Sequence, residues 1–116
     1  MPDPTCLFCK IVAGDIPSDR VHEDGLVIAF NDINPVAPVH QLIVPREHIV
    51  SAADLGEDHA ALLGRLFAVA ASLARDAGLT EHGYRLVTNI GADGGQSVPH
   101  LHIHLIGGRR QSWPPG

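Results

Sequence analysis

Three histidines, His100, His102 and His104, alternate with Leu101, Ile103 and Leu105 in one run near the C-terminus. A period of two is a strand pattern, because successive side chains on an extended chain point to opposite faces. A helix turns about 100° per residue and would scatter the rings. The spacing therefore predicts one apolar face that packs and one imidazole face that does chemistry. A proton on one ring disfavours protonation of its neighbours, so clustered imidazoles stay largely neutral. A neutral imidazole keeps a lone pair, which suits it to be a nucleophile, a general base or a metal ligand. A single strand histidine is ordinarily a surface residue, and three in register are much harder to explain that way.

Two further groups carry chemistry. Cys6 and Cys9, the only cysteines, are separated by two residues. So short a loop makes a poor stabilising disulfide, and the pair lacks the preceding strand of a thioredoxin-type motif. Half of a tetrahedral zinc site is the better reading, with a reduced, empty pair as the alternative. Gly94-Gly95-Gln96-Ser97 lies just before the histidine run. It reads as a hairpin turn with Asp93-Gly94 at its tip, and also as a loop whose amides and side chains face an anion.

These groups need a scaffold. Leu7 to Ala13 can make two helical turns stopped by Gly14, and Glu23-Asp24-Gly25 joins predicted strands at Ser18 to His22 and Leu26 to Asn31. A third strand is expected from His40 to Pro45, with His48 just past its end. One long helix is predicted from Glu57 to Ala77, with Asp54 as N-cap and Gly78 as stop. Its apolar positions, Leu62, Leu63, Leu66, Phe67, Val69, Ala70, Leu73, Ala74 and Ala77, recur at three and four and should pack on a sheet, while His59 is expected in solvent. Tyr84 to Ile90 reads as a fourth strand, and Val98 onward as the fifth, antiparallel to it.

The 116 residues make one domain, 1–116, with a core over about 8–107 and a tail over 108–116 that is too rich in Pro and Gly to be helical. With 45% hydrophobic and 18% charged residues the chain is globular. A net charge of -5 argues against nucleic acid or an anionic membrane surface as partner, while single phosphates remain possible ligands. No apolar run reaches the roughly 18 residues of a membrane span and no signal core is evident, so a cytoplasmic protein is expected. Trp113 near the end of the tail suggests docking, with a second subunit as one candidate surface.

His-apolar-His-apolar-His-apolar-apolar resembles the signature of the histidine triad family of nucleotide hydrolases and transferases. Asp32-Ile33, Pro38-Val39-His40, Pro45-Arg46-Glu47-His48, Gly94-Gly95-Gln96-Ser97 and Trp113-Pro114-Pro115-Gly116 resemble its nucleotide-binding branch, so the likeness runs from about Phe8 to Gly116. The resemblance implies an α+β fold with a five-stranded antiparallel sheet, one long helix and a short N-terminal helix, assembled as a homodimer. It implies a hydrolase of purine nucleoside 5'-phosphoramidates, in which His102 is the nucleophile, His40 orients it, and His104 and Ser97 bind phosphoryl oxygens. Asp32 would accept from the ribose hydroxyls and Ile33 would flank the ring, while Asn89, Gly95, Gln96, Ser97 and His104 would surround the phosphate of a purine nucleotide. Members with the cysteine pair imply a structural zinc on Cys6, Cys9, His48 and His100, which catalysis does not require. Hydrolysis of dinucleoside polyphosphates, a non-catalytic nucleotide-binding scaffold and a metal-activated water are the competing readings.

Overall fold

The computed structural model describes residues 3–116. A short helix α1 (Leu7–Ala13) is followed by strands β1 (Arg20–Glu23), β2 (Val27–Asn31) and β3 (Val39–Pro45), the long helix α2 (Ala60–Asp76), and strands β4 (Tyr84–Val87) and β5 (Ile103–Gly107). The strands form one antiparallel sheet in the order β1-β2-β3-β5-β4. This is the expected α+β architecture. Among the described residues no helix is long and apolar enough to cross a membrane.

Both faces of the sheet are covered, which explains the unbroken burial of Val27 to Phe30 on β2. Val27, Ala29, Ile43, Leu101, Ile103 and Leu105 point to one side and meet Leu66, Val69, Ala70, Leu73 and Ala74 of α2. Ile28, Phe30, Leu42 and Val44 point to the other and meet Cys6, Phe8, Cys9 and Ile11. The helix α1 has only seven residues, too few to persist alone, and its two ends are held. The Cys6 sulfur accepts from the Cys9 N–H at the start, Gly14 closes the end at φ +82°, and Arg20 donates to the carbonyl of Ile11 at 2.6 Å.

Several boundaries differ from the sequence reading. Glu57–His59 is a 3-10 turn and the α-helix begins only at Ala60; Asp54 lies in a separate 3-10 turn, Ala52–Asp54, capped by Ser51. His59 is half-buried, with Nδ1 accepting from the Gly56 N–H at 3.1 Å. Leu63 and Phe67 of the long helix do not pack on the sheet but are 39% and 49% exposed, and Ala77, its C-cap, is exposed as well.

The fifth strand begins at Ile103, not Val98, and β4 ends at Val87, not Ile90. Pro99 has no N–H to offer a ladder. Other bonds replace the ladder there: Leu101 N–H donates to the Ile49 carbonyl at 2.6 Å, and Thr88 Oγ1 to the His102 carbonyl at 2.8 Å. The alternation survives this change. Leu101, Ile103 and Leu105 face α2, while His102 and His104 open onto the opposite side.

Candidate active site and metal centre

A cavity of about 480 Å³ lies on the α1 side of the sheet, within the range of small-ligand clefts. His40, His102, His104, Asp32 and Ser97 supply its polar wall. Leu42 pairs with His104 across β3 and β5, which places His40, two residues earlier on the same face, diagonally beside that ring. His40 and His102 are buried, and the centroids of His102 and His104 lie 5.0 Å apart.

Hydrogen-bond partners assign the ring protons. The Val36 N–H donates to His40 Nδ1 at 3.2 Å, so the His40 proton is on Nε2, from which it donates to His104 Nδ1 at 2.8 Å. His104 Nδ1 is thereby an acceptor, and its own proton is on Nε2. His102 donates from Nδ1 to the His100 carbonyl at 2.7 Å. That bond leaves the His102 Nε2 lone pair free.

Two of the rings, His102 and His104, are also disfavoured as cations. Burial pushes His102 below the ordinary histidine range, although its bond to the His100 carbonyl and the Asp32 carboxylate oppose the shift. Burial, reinforced by His102 and His40, lowers His104 to about 4. Near neutrality these two rings therefore present lone pairs and N–H donors, not cations.

Asp32 faces two ways. Its Oδ1 accepts from the Asn34 N–H at 2.8 Å and caps the turn, while Oδ2 lies 3.4 Å from His40 Nε2 at the cavity wall. Ile33 lines the same cavity with 90% of its surface exposed.

The glycine loop departs from expectation. The amides of Gly95 and Gln96 donate to the carbonyls of Ala92 and Gly91, and Asn89 donates to the Gly94 carbonyl at 2.7 Å. Both ends of the Gln96 side chain are engaged: Oε1 accepts from the Gly91 N–H, and Nε2 donates to the carbonyls of Val50 and Val98. Asn89, Gly95 and Gln96 thus brace the loop and do not line the cavity, into which Ser97 alone of the expected loop residues reaches. Gly94 is required for a close approach, since a Cβ there would stand 2.2 Å from the Ile90 carbonyl oxygen.

The other cavity wall was not anticipated. Leu7, Phe8, Ile11 and Phe30 form an apolar side, with Phe8 and Phe30 edge to face at 5.6 Å. The available signal was the spacing of Leu7, Phe8 and Ile11, which puts three apolar side chains along one side of a two-turn helix. Such a slot accepts a flat ring on apolar contact.

Behind the cavity, Cys6, Cys9, His48 and His100 converge, with one donor atom from each lying within 4.8 Å of the others. His100 donates from Nε2 to the Pro45 carbonyl at 2.9 Å, which aims its bare Nδ1 at the group. His48 Nδ1 is 3.3 Å from His100 Nδ1, and three of the four sulfur-to-nitrogen separations are 3.2, 3.4 and 3.5 Å. Tetrahedral zinc at ordinary bond lengths would hold two nitrogens about 3.3 Å apart and nitrogen and sulfur about 3.6 Å apart, so the donor set fits this ion. Burial raises the Cys9 thiol and lowers the His100 ring, and a coordinated cation would favour the thiolate. Asp32, His40 and His104 also cluster, but their 2.8 Å nitrogen contact is a hydrogen-bond distance.

The arrangement defines a class: a cavity walled by clustered imidazoles on an antiparallel sheet, beside a Cys2His2 donor set. A family model described as the HIT domain matches residues 13–111. The purine nucleoside phosphoramidase of Escherichia coli is 48% identical over 103 residues, covering 89% of this chain and 87% of that protein. A 14 kDa zinc-binding protein of Zea mays is 48% identical over 118 residues, covering 100% of this chain and 91% of that one. The crystal structure of a HIT family hydrolase from Legionella pneumophila superposes with a TM-score of 0.95 at 50% identity, over 97% of this chain and 100% of that one. The chain belongs to the HIT domain family.

Proposed function

We propose that the protein hydrolyses purine nucleoside 5'-phosphoramidates through a covalent nucleotidyl-His102 intermediate. The observation that carries this reading is the 2.7 Å bond from His102 Nδ1 to the His100 carbonyl, because it directs the Nε2 lone pair to the cavity. Attack by Nε2 on the α-phosphorus forms the P–N bond to His102 as the bond to the amine breaks. The amine takes its proton from water by way of Ser97, which is exposed at the cavity rim. His104 Nε2–H and the Ser97 hydroxyl hold the phosphoryl oxygens, and the His100 carbonyl stabilises the Nδ1–H of the imidazolium. Water then cleaves the P–Nε2 bond, releasing the nucleoside monophosphate and the neutral ring.

The nucleoside end follows from the remaining walls. The purine enters between Phe8, Ile11 and Phe30, with Ile33 over it, and Asp32 Oδ2 accepts from the ribose hydroxyls. The 48% identity to a protein named as a purine nucleoside phosphoramidase supports this substrate class. Zinc on Cys6, Cys9, His48 and His100 is structural: these residues stand behind the cavity, and an ion there ties the N-terminal segment to the sheet.

The functional unit is a homodimer. Leu63 and Phe67 form an exposed apolar pair on α2 beside small Ala60 and Gly64, and β4 is an edge strand with no second neighbour, so a second copy can cover both.

The decisive experiment is incubation of wild type and His102→Ala with adenosine 5'-phosphoramidate, measuring AMP release and seeking an AMP adduct by intact mass. Wild type should turn over and carry the adduct, and His102→Ala should do neither while still binding AMP. Absence of turnover in both, with AMP bound, would make the protein a nucleotide-binding module.

A further inference from the structure

We propose that His100 is a positioning residue that couples the metal centre to the nucleophile: occupancy of the Cys6, Cys9, His48 and His100 site keeps His102 in its Nδ1–H tautomer. The inference rests on the zinc and nucleophile assignments above and goes beyond both. One residue belongs to both sites. The His100 ring offers Nδ1 to the donor set and anchors Nε2–H on Pro45, while its carbonyl accepts the His102 Nδ1–H.

Nothing in the sheet holds that carbonyl in place, since the ladder starts only at Ile103. The peptide joining His100 to Leu101 is fixed on its N–H side by the Ile49 carbonyl, and Ile49 directly follows the ligand His48. Both restraints on this peptide therefore hang on metal-binding segments. Phe8 adds a third link from between the two cysteines, with its ring edge to face against His102 at 5.0 Å and against His100 at 6.0 Å.

The coupling acts through position. Two thiolates balance the charge of a divalent cation, so the occupied site adds no net charge beside a His102 imidazolium. Without the ion, the donor atoms of buried Cys6, Cys9 and His100 and half-buried His48, which lie within 4.8 Å of one another, lose the bonds that lock them together, which frees the His100 peptide to turn. His102 then loses the acceptor that selects its tautomer, and the alternative, with the proton on Nε2, cannot attack. Linkage makes the effect reciprocal: whatever disturbs His102 loosens the metal.

Two measurements that need no turnover test this, so their failure is distinguishable from failure of the phosphoramidase reading. The first is the long-range 1H–15N spectrum of the His102 ring in zinc-loaded and chelator-treated protein, with far-UV circular dichroism confirming that the fold is retained. The loaded protein should show one Nδ1–H tautomer, and the metal-free protein a mixture. The second uses zinc-loaded protein throughout and follows zinc transfer to a chromophoric chelator from wild type and His102→Ala. Disturbing a partner of a ligand residue should speed release about tenfold. An unchanged His102 tautomer in folded metal-free protein, or equal release rates, overturns the proposal; if chelation unfolds the chain, the release rates decide alone.

Discussion

Lowering the pH should expose the cost of keeping His104 neutral. In the unfolded chain this ring titrates near the ordinary histidine value of about 6.5, whereas in the fold burial, with help from His102 and His40, lowers it to about 4. Above pH 6.5 both states are neutral and the group contributes nothing. Between about 6.5 and 4 the unfolded state takes a proton that the folded state refuses, so stability falls as the pH falls. Full expression of the shift would cost about 2.5 kcal/mol by pH 4.5. Water reaches this ring from the cavity, so roughly half of that, about 1.3 kcal/mol, is expected. Urea unfolding read by far-UV circular dichroism at pH 7.5, 6.5, 5.5 and 4.5 measures it in wild type and His104→Gln. Metal ligands also protonate in acid, but this occurs in both proteins and cancels in the difference. The variant should lose about 1.3 kcal/mol less than wild type between pH 7.5 and 4.5. Parallel curves would refute the argument that burial keeps the ring uncharged.

Asp32→Asn keeps the turn cap through Oδ1 but removes the charge at Oδ2, and should weaken AMP about tenfold, about 1.4 kcal/mol, by titration calorimetry; unchanged affinity would remove Asp32 from the ribose site. Gly94→Ala drives a Cβ to 2.2 Å from the Ile90 oxygen, so it should destabilise the fold by about 2 kcal/mol or more in urea melts, and a neutral result would contradict the close approach. Elemental analysis of untagged protein should find one zinc per chain and nearly none in Cys6→Ser; zinc-free wild type would refute the metal assignment. Sedimentation at micromolar concentration should give a dimer for wild type and a monomer for Phe67→Glu, and monomeric wild type would reject the assembly.

The legible part of this chain was the part encoded in alternation and spacing. Leu101, Ile103 and Leu105 against His102 and His104 gave the two faces of one segment, and the Cys6-Cys9 spacing gave half of a ligand set whose atoms do converge. Where the ladder starts was not encoded there, because pairing depends on how far the neighbouring strand runs, and β4 stops at Val87. Helical periodicity likewise placed Leu66 and Val69 on the core but could not separate them from Leu63 and Phe67, which continue the same spacing round to an open side. Sequence also leaves hidden which loop donors are already engaged: the amides of Gly95 and Gln96 find partners within the loop itself. Leu7, Phe8 and Ile11 became a cavity wall only because the chain folds back over the sheet, and a two-turn helix does not announce what it covers.

The way α1 is fastened sets an order of assembly. Cys6 and Cys9 meet His100 across sequence separations of 94 and 91 residues, long-range contacts that fasten α1 to the histidine segment. During synthesis the segment carrying Phe8 and Ile11 precedes Ile28, Phe30, Leu42 and Val44 of β2 and β3, on which it packs, and Phe8 also meets His100 and His102, which are made much later. The wall expected to grip the base is thus early out of the ribosome and late into place. A chain stalled after α2 still lacks Ser97, His102 and His104, so the polar wall of the cavity forms only once that segment has been made.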